Sequence, residues 1–216
     1  MPNNSTQTKK QTWKQNPEAV KADILKVATK EMAKHGLTGS RINIIAELSN
    51  TSKRMIYYYF KDKEGLYKAV LESTYKSIRD AEKKLKIINL NPKESLERLI
   101  EFTINHHKKN PDFIRLIMIE NIHDCKYLKE SNILKEVNAP AIKRIKDIYD
   151  EGVKLKIFKE GIDPLEIHWF ISSMSFFNVS NESSFSTAFG KKISEKKTQD
   201  ELTSHIIEMI TKFVLN

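Results

Sequence analysis

Apolar residues recur at intervals of three or four along most of the chain, which is the spacing of helices that bury one face. The alternation of apolar and polar residues typical of strands does not extend over any useful length. The pattern predicts helices at about 17–35, 41–48, 52–60, 63–87, 93–109, 111–122, 140–156, 164–179 and 200–215. Residues 181–199 lack this periodicity and are predicted to form a long, mobile connection. The predicted fold class is therefore all-α, with about nine helices.

Four of these helix starts share a second pattern, in which Asn or Asp is followed by proline and then by an acidic residue. The Asn or Asp side chain can accept a hydrogen bond from a free backbone N–H, proline lacks the donor that would need a partner, and the acid meets the positive end of the helix dipole. The pattern occurs at Asn16-Pro17-Glu18, Asn91-Pro92-Lys93-Glu94, Asn110-Pro111-Asp112 and Asp163-Pro164-Leu165-Glu166. Gly36 is predicted to end the first helix, whereas Pro140 either starts its helix or kinks a longer one.

The segment 40–60 has the pattern of a helix-turn-helix. Its first helix buries Ile45 and Ala46, and Ala46 is small enough to let the next helix cross closely. Asn50 stands where the turn needs a positive φ, which Asn adopts more readily than most residues. Ser52 can then cap the second helix.

The second helix of this segment divides into an apolar face and a basic, aromatic face. Ile56 and Phe60 are four residues apart and are predicted to be buried. The opposite face presents Lys53, Arg54, Tyr57 and Tyr58. Arg or Lys can pair with guanine in the major groove of DNA, and tyrosine hydroxyls can bind phosphates.

The net charge of +9 supports this interpretation because it is unevenly distributed. Residues 1–84 contain 17 Lys and Arg against 9 Asp and Glu, whereas residues 85–216 contain 20 against 19. An excess of this kind suits a surface that meets nucleic acid or anionic lipid. The alternative is a solvated, lysine-rich surface without a partner.

Other features of the composition narrow the class of protein. A single cysteine, Cys125, excludes an internal disulfide framework and indicates a reducing cytoplasm. No apolar leader and no membrane-spanning stretch is visible. His106-His107 and His123-Asp124-Cys125 lack the spacing of a helical zinc site or a catalytic set. We therefore expect no enzyme activity, no cofactor, no metal site and no membrane association.

Residues 17–70 resemble the N-terminal domain of TetR-family transcriptional regulators. The resemblance lies in Gly36-Leu37, Ser40-Arg41, Ile45-Ala46, Ser49-Asn50-Thr51-Ser52, Ile56-Tyr57, Tyr59-Phe60, Lys63-Glu64 and Leu66, which follow the family pattern without gaps. The chain departs from that pattern at Asn50, Thr51 and Arg41, where glycine, valine and threonine are common. These departures leave the fold plausible, and Arg41 adds a cation beside the expected DNA surface.

The resemblance implies a three-helix DNA-binding domain and the contacts that this domain makes. The residues expected at the DNA are Ser40, Arg41, Asn43, Ser52, Lys53, Arg54, Met55, Tyr57, Tyr58, Tyr59 and Lys63. Of these, Ser40, Arg41 and Asn43 are expected at phosphates. The sequence does not decide which of Tyr58 and Tyr59 faces outward.

The resemblance also implies a C-terminal helical domain that binds a small-molecule effector and dimerises through the last two helices as a four-helix bundle. Residues 110–122 are similar to the pattern of the subgroup that contains the pyrimidine-responsive, RutR-like regulators. Candidate effector contacts are Phe102, His106, Phe113, Ile117, Met118, Asn121, Trp169, Ser173, Phe177 and Asn178. The expected organisation is a disordered basic arm (1–15), a DNA-binding domain (16–62), a connecting helix (63–87) and the effector domain (88–216).

The function expected from all of this is a cytoplasmic, homodimeric regulator that binds a pseudo-palindromic operator in double-stranded DNA, most simply as a repressor released by a small molecule. An activator or dual regulator of the same fold is the first alternative. A basic module for membranes or RNA would not need the spacing of Ser52 to Phe60, and a small helical enzyme would need a catalytic set that the chain does not offer.

Overall fold

The computed structural model describes residues 16–87, 89–131 and 133–216, so the arm predicted at 1–15 lies outside the described residues. This part of the chain forms eleven helices and no strand, apart from one isolated bridge between Phe158 and Leu215. The helices are α1 (Pro17–Gly39), α2 (Ile42–Leu48), α3 (Lys53–Phe60), α4 (Lys63–Lys83), α5 (Pro92–Lys109), α6 (Pro111–Ile122), α7 (Lys126–Lys129), α8 (Ile133–Lys154), α9 (Pro164–Ser180), α10 (Glu182–Phe189) and α11 (Lys196–Val214). The all-α prediction is confirmed.

Two of these helices, α7 and α10, were not predicted. The prediction of a long, mobile connection at 181–199 was wrong, because α10 lies within it and α11 begins at Lys196. Phe185 and Phe189 are four residues apart on α10, and their ring centroids lie 4.5 Å apart. Because serines and a threonine surround these two residues, the apolar repeat is too short to predict a helix from its period.

The alternatives at Pro140 are also decided. Pro140 lies inside α8, which begins at Ile133, so it does not start the helix. The amide of Asn138 donates instead to the carbonyl of Leu134, at 3.0 Å. Because proline has no N–H, α8 lacks one backbone hydrogen bond at this point.

Three of the four predicted helix caps are present. The side chains of Asn16, Asn91 and Asp163 accept hydrogen bonds from backbone N–H groups at 3.0, 2.9 and 2.8 Å. Asn110 does not cap α6: its side-chain amide donates to the carbonyl of His106, at 2.8 Å, and so closes the end of α5. Asn110 is the single residue between α5 and α6, and its side chain closes the C-terminal end of α5 instead of capping the start of α6.

The chain divides into two compact units, one ending at Val70 and the other running from Leu71 to Asn216. The boundary falls within α4, the helix expected to connect two domains. Buried apolar residues of α1, α2, α3 and α4 form the core of the first unit: Ile24, Ala28, Met32, Ile45, Ile56 and Leu66. In α1, Gly36 has a φ of +66° and interrupts the helical backbone, but α1 continues to Gly39, so Gly36 kinks the helix and does not end it as predicted.

The core of the second unit is formed mainly by α5, α8, α9 and α11. The hydroxyl of Tyr149 joins α8 to the start of α9, because it donates to Lys159 O at 2.7 Å and accepts from Ile162 N–H at 2.9 Å. Gly152 lies so close to the ring of Phe158 that an added Cβ would be 2.0 Å from it. None of the described helices combines the length and the apolar character needed to cross a bilayer.

Candidate nucleic-acid interface and ligand-binding residues

The turn between α2 and α3 has the geometry expected of a helix-turn-helix. Asn50 has a φ of +49°, the left-handed conformation predicted for it. The N–H of Thr51 donates to Ala46 O at 2.9 Å, and the hydroxyl of Ser49 donates to Ile45 O at 2.6 Å. These hydrogen bonds close the end of α2 and determine the direction in which α3 leaves the turn.

Helix α3 is held by a cap at one end and by apolar contacts on one face. Ser52 Oγ accepts a hydrogen bond from the N–H of Met55 at 3.2 Å, which confirms the predicted cap. Ile56 is fully buried and Phe60 partly buried, whereas Lys53 and Arg54 are exposed. The first turn of α3 therefore presents both cations to solvent from a fixed backbone.

The three adjacent tyrosines of α3 point in different directions. Tyr58 is 75% exposed and Tyr57 is 44% exposed. Tyr59 is partly buried, and the ammonium of Lys21 in α1 lies 5.4 Å from its ring centroid. The question left by the sequence is thereby answered: Tyr58 faces outward and Tyr59 packs towards α1.

The remaining expected DNA contacts differ in their accessibility. Arg41 and Asn43 are exposed, and Met55 is partly buried. Ser40 is only 3% exposed, and its hydroxyl donates to Leu37 O at 3.0 Å, so it stabilises the end of α1. The ammonium of Lys63 donates to the carbonyl of Thr38 at 3.1 Å, an internal contact that the sequence did not indicate.

A tight corner joins α3 to α4. Lys61 has φ and ψ of 68° and −59°, a rare and strained conformation, and the N–H of Asp62 donates to Phe60 O at 2.9 Å. The carboxylate of Asp62 accepts from the N–H of Gly65 at 2.6 Å. A Cβ on Gly65 would lie 2.1 Å from Phe60 O, so only glycine fits this corner.

Three of the candidate effector contacts do not line an enclosed cavity. Trp169, Ser173 and Phe177 are spaced four residues apart on α9 and are exposed, Trp169 by 71% and Phe177 by 55%. Leu165 extends the same stripe by one more turn. Trp169 and Phe177 form an exposed apolar stripe with Leu165, and Phe177 also borders an open groove of about 420 Å³. Periodicity gives the face of a helix but does not tell what covers that face.

Two other candidates, Met118 and Asn178, border an open groove of about 380 Å³. Within it Asn178 exchanges two hydrogen bonds with Gln199, at 2.9 and 3.0 Å. Asn121 is exposed and accepts a weak hydrogen bond from Cys125 Sγ at 3.5 Å, and Ile117 is partly buried. Because Asn178 and Gln199 bond to each other, their side-chain polar groups are already satisfied.

The aromatic candidates form a chain of ring contacts. The centroids of Phe102 and His106 lie 5.8 Å apart, and those of His107 and Phe113 lie 5.9 Å apart. Tyr75 of α4 extends the chain, with its ring 5.2 Å from that of Phe113. These residues tie α4, α5 and α6 together, and burial lowers the pKa of His106 below its ordinary value.

A buried polar cluster of the second unit was missed from the sequence. Glu82 is 6% exposed and forms an ion pair with Arg79, while Arg144 donates to the backbone carbonyl of Glu82 at 2.7 Å. His107 and His168 border the same small cavity as Arg79 and Glu82. The five residues come from four helices, and no local pattern connects them. Within the described ranges, no three His, Cys, Asp or Glu side chains are placed to hold a metal ion.

Models of known protein families match residues in both compact units of the chain. The family model "Bacterial regulatory proteins, tetR family" matches residues 24–70, and the model "Tetracyclin repressor-like, C-terminal domain" matches residues 92–210. The HTH-type transcriptional repressor NicS of Pseudomonas putida is 29% identical over 195 residues, which cover 90% of this chain and 92% of NicS. The HTH-type transcriptional regulator RutR of Escherichia coli is 45% identical, but over only 53 residues, 24% of this chain and 25% of RutR.

Solved structures show the same fold over most of the chain. The Streptomyces coelicolor protein SCO4942 matches with a TM-score of 0.69 at 20% identity, covering 90% of this chain and 98% of that one. The C-terminal family model alone covers more than half of the chain, and the N-terminal one contains the helix-turn-helix. The chain belongs to the TetR family of bacterial transcriptional regulators.

Proposed function

We propose that this DNA-binding regulator is a repressor that binds a pseudo-palindromic operator as a homodimer and is released by a small-molecule effector. The observation that supports the DNA contact best is the exposed face of α3, where Lys53, Arg54, Tyr57 and Tyr58 project from a capped helix. Such a helix fits the major groove, and two copies of it would read two half-sites about one turn of DNA apart. Gel-shift titration of the protein with the DNA upstream of its own gene, at several salt concentrations, tests the proposal.

The exposed side chains are suited to different contacts with the DNA, some to bases and others to phosphates. Arg54 lies in the first turn of α3, where a guanidinium can bind guanine O6 and N7. Tyr58 and Arg41 project from α3 and from the start of α2, and they suit phosphate oxygens on either side of the groove. Ser40 and Tyr59 are assigned to packing instead, because their side chains are buried or partly buried within the first unit.

Dimerisation is supported by the exposed apolar residues of α9 and α11. Trp169, Phe177, Met209 and Phe213 are 71, 55, 52 and 37% exposed, which is unusual for such large side chains on neighbouring helices. Phe177 and Met209 border one open groove of about 420 Å³. An apolar face of this kind marks an interaction surface, and a second copy would cover it with the same two helices, as a four-helix bundle.

An effector can release the operator only through its different affinities for the DNA-bound and free states of the dimer. Helix α4 is suited to join the two sites, because residues 63–70 belong to the first unit and residues 71–83 to the second. A ligand that displaces residues 71–83 would therefore also act on residues 63–70 of the same helix, which directly follow the corner at the end of α3.

Replacing Arg54 with alanine is expected to weaken operator binding by about 1–3 kcal/mol in each half-site, roughly five- to 150-fold per half-site, because each copy loses a bidentate contact to guanine. Discrimination at one base pair should be relaxed in each half-site, and the affinity for non-specific DNA should fall much less. A binding assay against a library of operator variants measures both effects. An unchanged base preference would refute the assignment of Arg54.

Removal of the Tyr58 hydroxyl is expected to weaken binding to all sequences alike. The Tyr58→Phe variant should lose about 1.5–3 kcal/mol in each half-site, the value of one hydrogen bond to a charged group, without a change in base preference. Tyr59→Phe is the matched control and should bind as the wild type, because Tyr59 packs towards α1. Equal losses in the two variants, measured by fluorescence anisotropy, would contradict the outward assignment of Tyr58 alone.

A further inference from the structure

The start of α2 is held by a side chain of α1. The carboxylate of Glu31 accepts a hydrogen bond from the backbone N–H of Arg41, the N-cap residue of α2, at 3.2 Å. In the capping box of α5, Glu94 accepts the N-cap N–H of Asn91 in the same way, also at 3.2 Å, but from within its own helix. An arginine side chain has no acceptor, so Arg41 cannot cap α2 itself. The start of α2 therefore depends on a residue ten positions earlier, in another helix.

Glu31 reaches this N–H from a nearly buried position. Its side chain is only 11% exposed, although it carries a carboxylate. A carboxylate is costly to bury unless it is hydrogen-bonded, and a hydrogen bond to a charged acceptor is stronger than one to a neutral acceptor. The neighbouring His35 is 42% exposed, and its Nε2 lies 3.9 Å from the carboxylate, beyond hydrogen-bond distance, so it contributes little. The hydrogen bond from Arg41 is therefore the contact that compensates for the burial of Glu31.

Other contacts hold the chain on either side of Arg41. Before it, the ammonium of Lys63 donates to the carbonyl of Thr38 at 3.1 Å. After it, Ile42 is buried in the core of the first unit. The hydrogen bond to Glu31 lies between these two contacts and acts on Arg41 itself. Removing the Glu31 acceptor should therefore loosen the backbone at Arg41 while the helices on either side stay folded.

The backbone of Arg41 determines where its guanidinium can reach. Arg41 is exposed, with an extended backbone of φ −120° and ψ 118°. Contacts with phosphates fix the register and orientation of a protein on DNA, and they need side chains that neighbouring groups hold in place. An arginine on a loose backbone loses more conformational freedom when it binds a phosphate, which weakens the contact. The hydrogen bond to Glu31 reduces this loss.

We propose that Glu31 is a positioning residue for DNA binding, which holds the Arg41 backbone so that the Arg41 guanidinium reaches a phosphate of the operator. The inference rests on the proposed function, because it assumes that Arg41 contacts DNA. Glu31 acts through Arg41, since a carboxylate close to DNA is itself repelled by the phosphates. The charge of Glu31 and its hydrogen bond therefore have opposite effects on DNA binding.

Two substitutions of similar size separate the hydrogen bond from the charge. Glu31→Gln removes the charge and keeps an acceptor oxygen, whereas Glu31→Met removes both. We expect Glu31→Met to bind the DNA upstream of its own gene about fivefold or more weakly than Glu31→Gln, measured by fluorescence anisotropy. If Glu31 acted only through its charge, the two variants would bind equally, and both more tightly than the wild type.

The effect of Glu31 should disappear when the Arg41 guanidinium is absent. Arg41→Ala retains the backbone N–H, and in this background Glu31→Met and Glu31→Gln should bind within about twofold of each other, as independent changes do. Glu47→Met and Glu47→Gln are the matched control pair, because Glu47 is an exposed glutamate of α2. This pair should also agree within about twofold in the wild-type background.

The salt dependence of binding separates positioning from a purely structural role. Arg41→Ala should make the slope of log affinity against log salt shallower by about two, because each copy loses one phosphate contact. Glu31→Met should shift the slope in the same direction, and Glu31→Gln should not. A glutamate that only stabilises the fold would lower the unfolding temperature in Glu31→Met and leave the affinity and the slope unchanged. If Glu31→Met fails to fold, Glu31→Asp decides the question: its shorter side chain should weaken binding by about threefold or more, and unchanged binding would overturn the proposal.

The inference and the proposed function can fail separately. If Arg41→Ala weakens binding but Glu31→Met and Glu31→Gln bind equally, or still differ in the Arg41→Ala background, the positioning role is overturned and the repressor is not. If Arg41→Ala changes neither the affinity nor the slope, the phosphate contact of Arg41 fails, and the positioning role fails with it. If the wild-type protein shows no salt-dependent binding to DNA, the proposed function and this inference are both refuted.

Discussion

Replacing Trp169 with glutamate is expected to convert the proposed dimer to a monomer and to reduce operator affinity by about a thousandfold or more. Trp169 is the most exposed large apolar residue of α9, at 71%. A glutamate there would have to be buried without a partner between the two copies, at a cost that an apolar interface cannot offset. A monomer contacts a single half-site, and the lower end of the gap between specific and non-specific binding is about 10³.

The matched control for this variant is Ile122→Glu. Ile122 is 74% exposed but lies at the end of α6, outside the stripe on α9. The Ile122→Glu variant should leave both the sedimentation coefficient and the operator affinity unchanged. Analytical ultracentrifugation and gel shift on the same samples make the comparison. A dimeric Trp169→Glu protein would mean that the interface lies elsewhere.

The second large effect is expected at Gly65. An alanine in an exposed helix normally stabilises it by about 1 kcal/mol relative to glycine. At Gly65, however, the new Cβ would lie 2.1 Å from the carbonyl oxygen of Phe60, a backbone atom that cannot rotate away. We expect Gly65→Ala to lower the free energy of unfolding by about 1–3 kcal/mol, as overpacking does.

The same substitution should also affect DNA binding, because the corner at Lys61 and Asp62 determines where α3 ends. Chemical denaturation measures the stability and gel shift measures the affinity. Gly39→Ala is the control in the same unit, since its Cβ would meet only the His35 side chain, at 3.3 Å. If Gly65→Ala were as stable as Gly39→Ala, the close packing of this corner would be refuted.

The helix-turn-helix could be predicted almost completely because its determinants are local. Asn50 at a positive φ, the cap at Ser52 and the burial of Ile56 each depend on residues within a few positions in the sequence. The outward direction of Tyr58 was not predictable, because it depends on Lys21 and α1 packing against Tyr59. The family resemblance supplied the DNA-binding role, and the structure supplied the accessibility of each residue.

The second unit was predicted less well because its features depend on contacts between distant residues. Periodicity identified the apolar faces of α9, but it could not separate a stripe that faces solvent from one that faces the core. The cluster of Arg79, Glu82 and Arg144 joins α4 to α8 across about sixty residues of chain. A single sequence gives no signal for such a pairing, and charged residues are ordinarily assigned to the surface.

The exposure of Trp169 has an optical consequence. The chain contains two tryptophans, Trp13 and Trp169, so a Trp13→Phe variant carries its only indole on the exposed stripe of α9. Indole emission moves to shorter wavelength when water is excluded. If the proposed dimer covers this stripe, dilution of that variant should shift its emission to longer wavelength as the subunits separate, which would give the dissociation constant without a label.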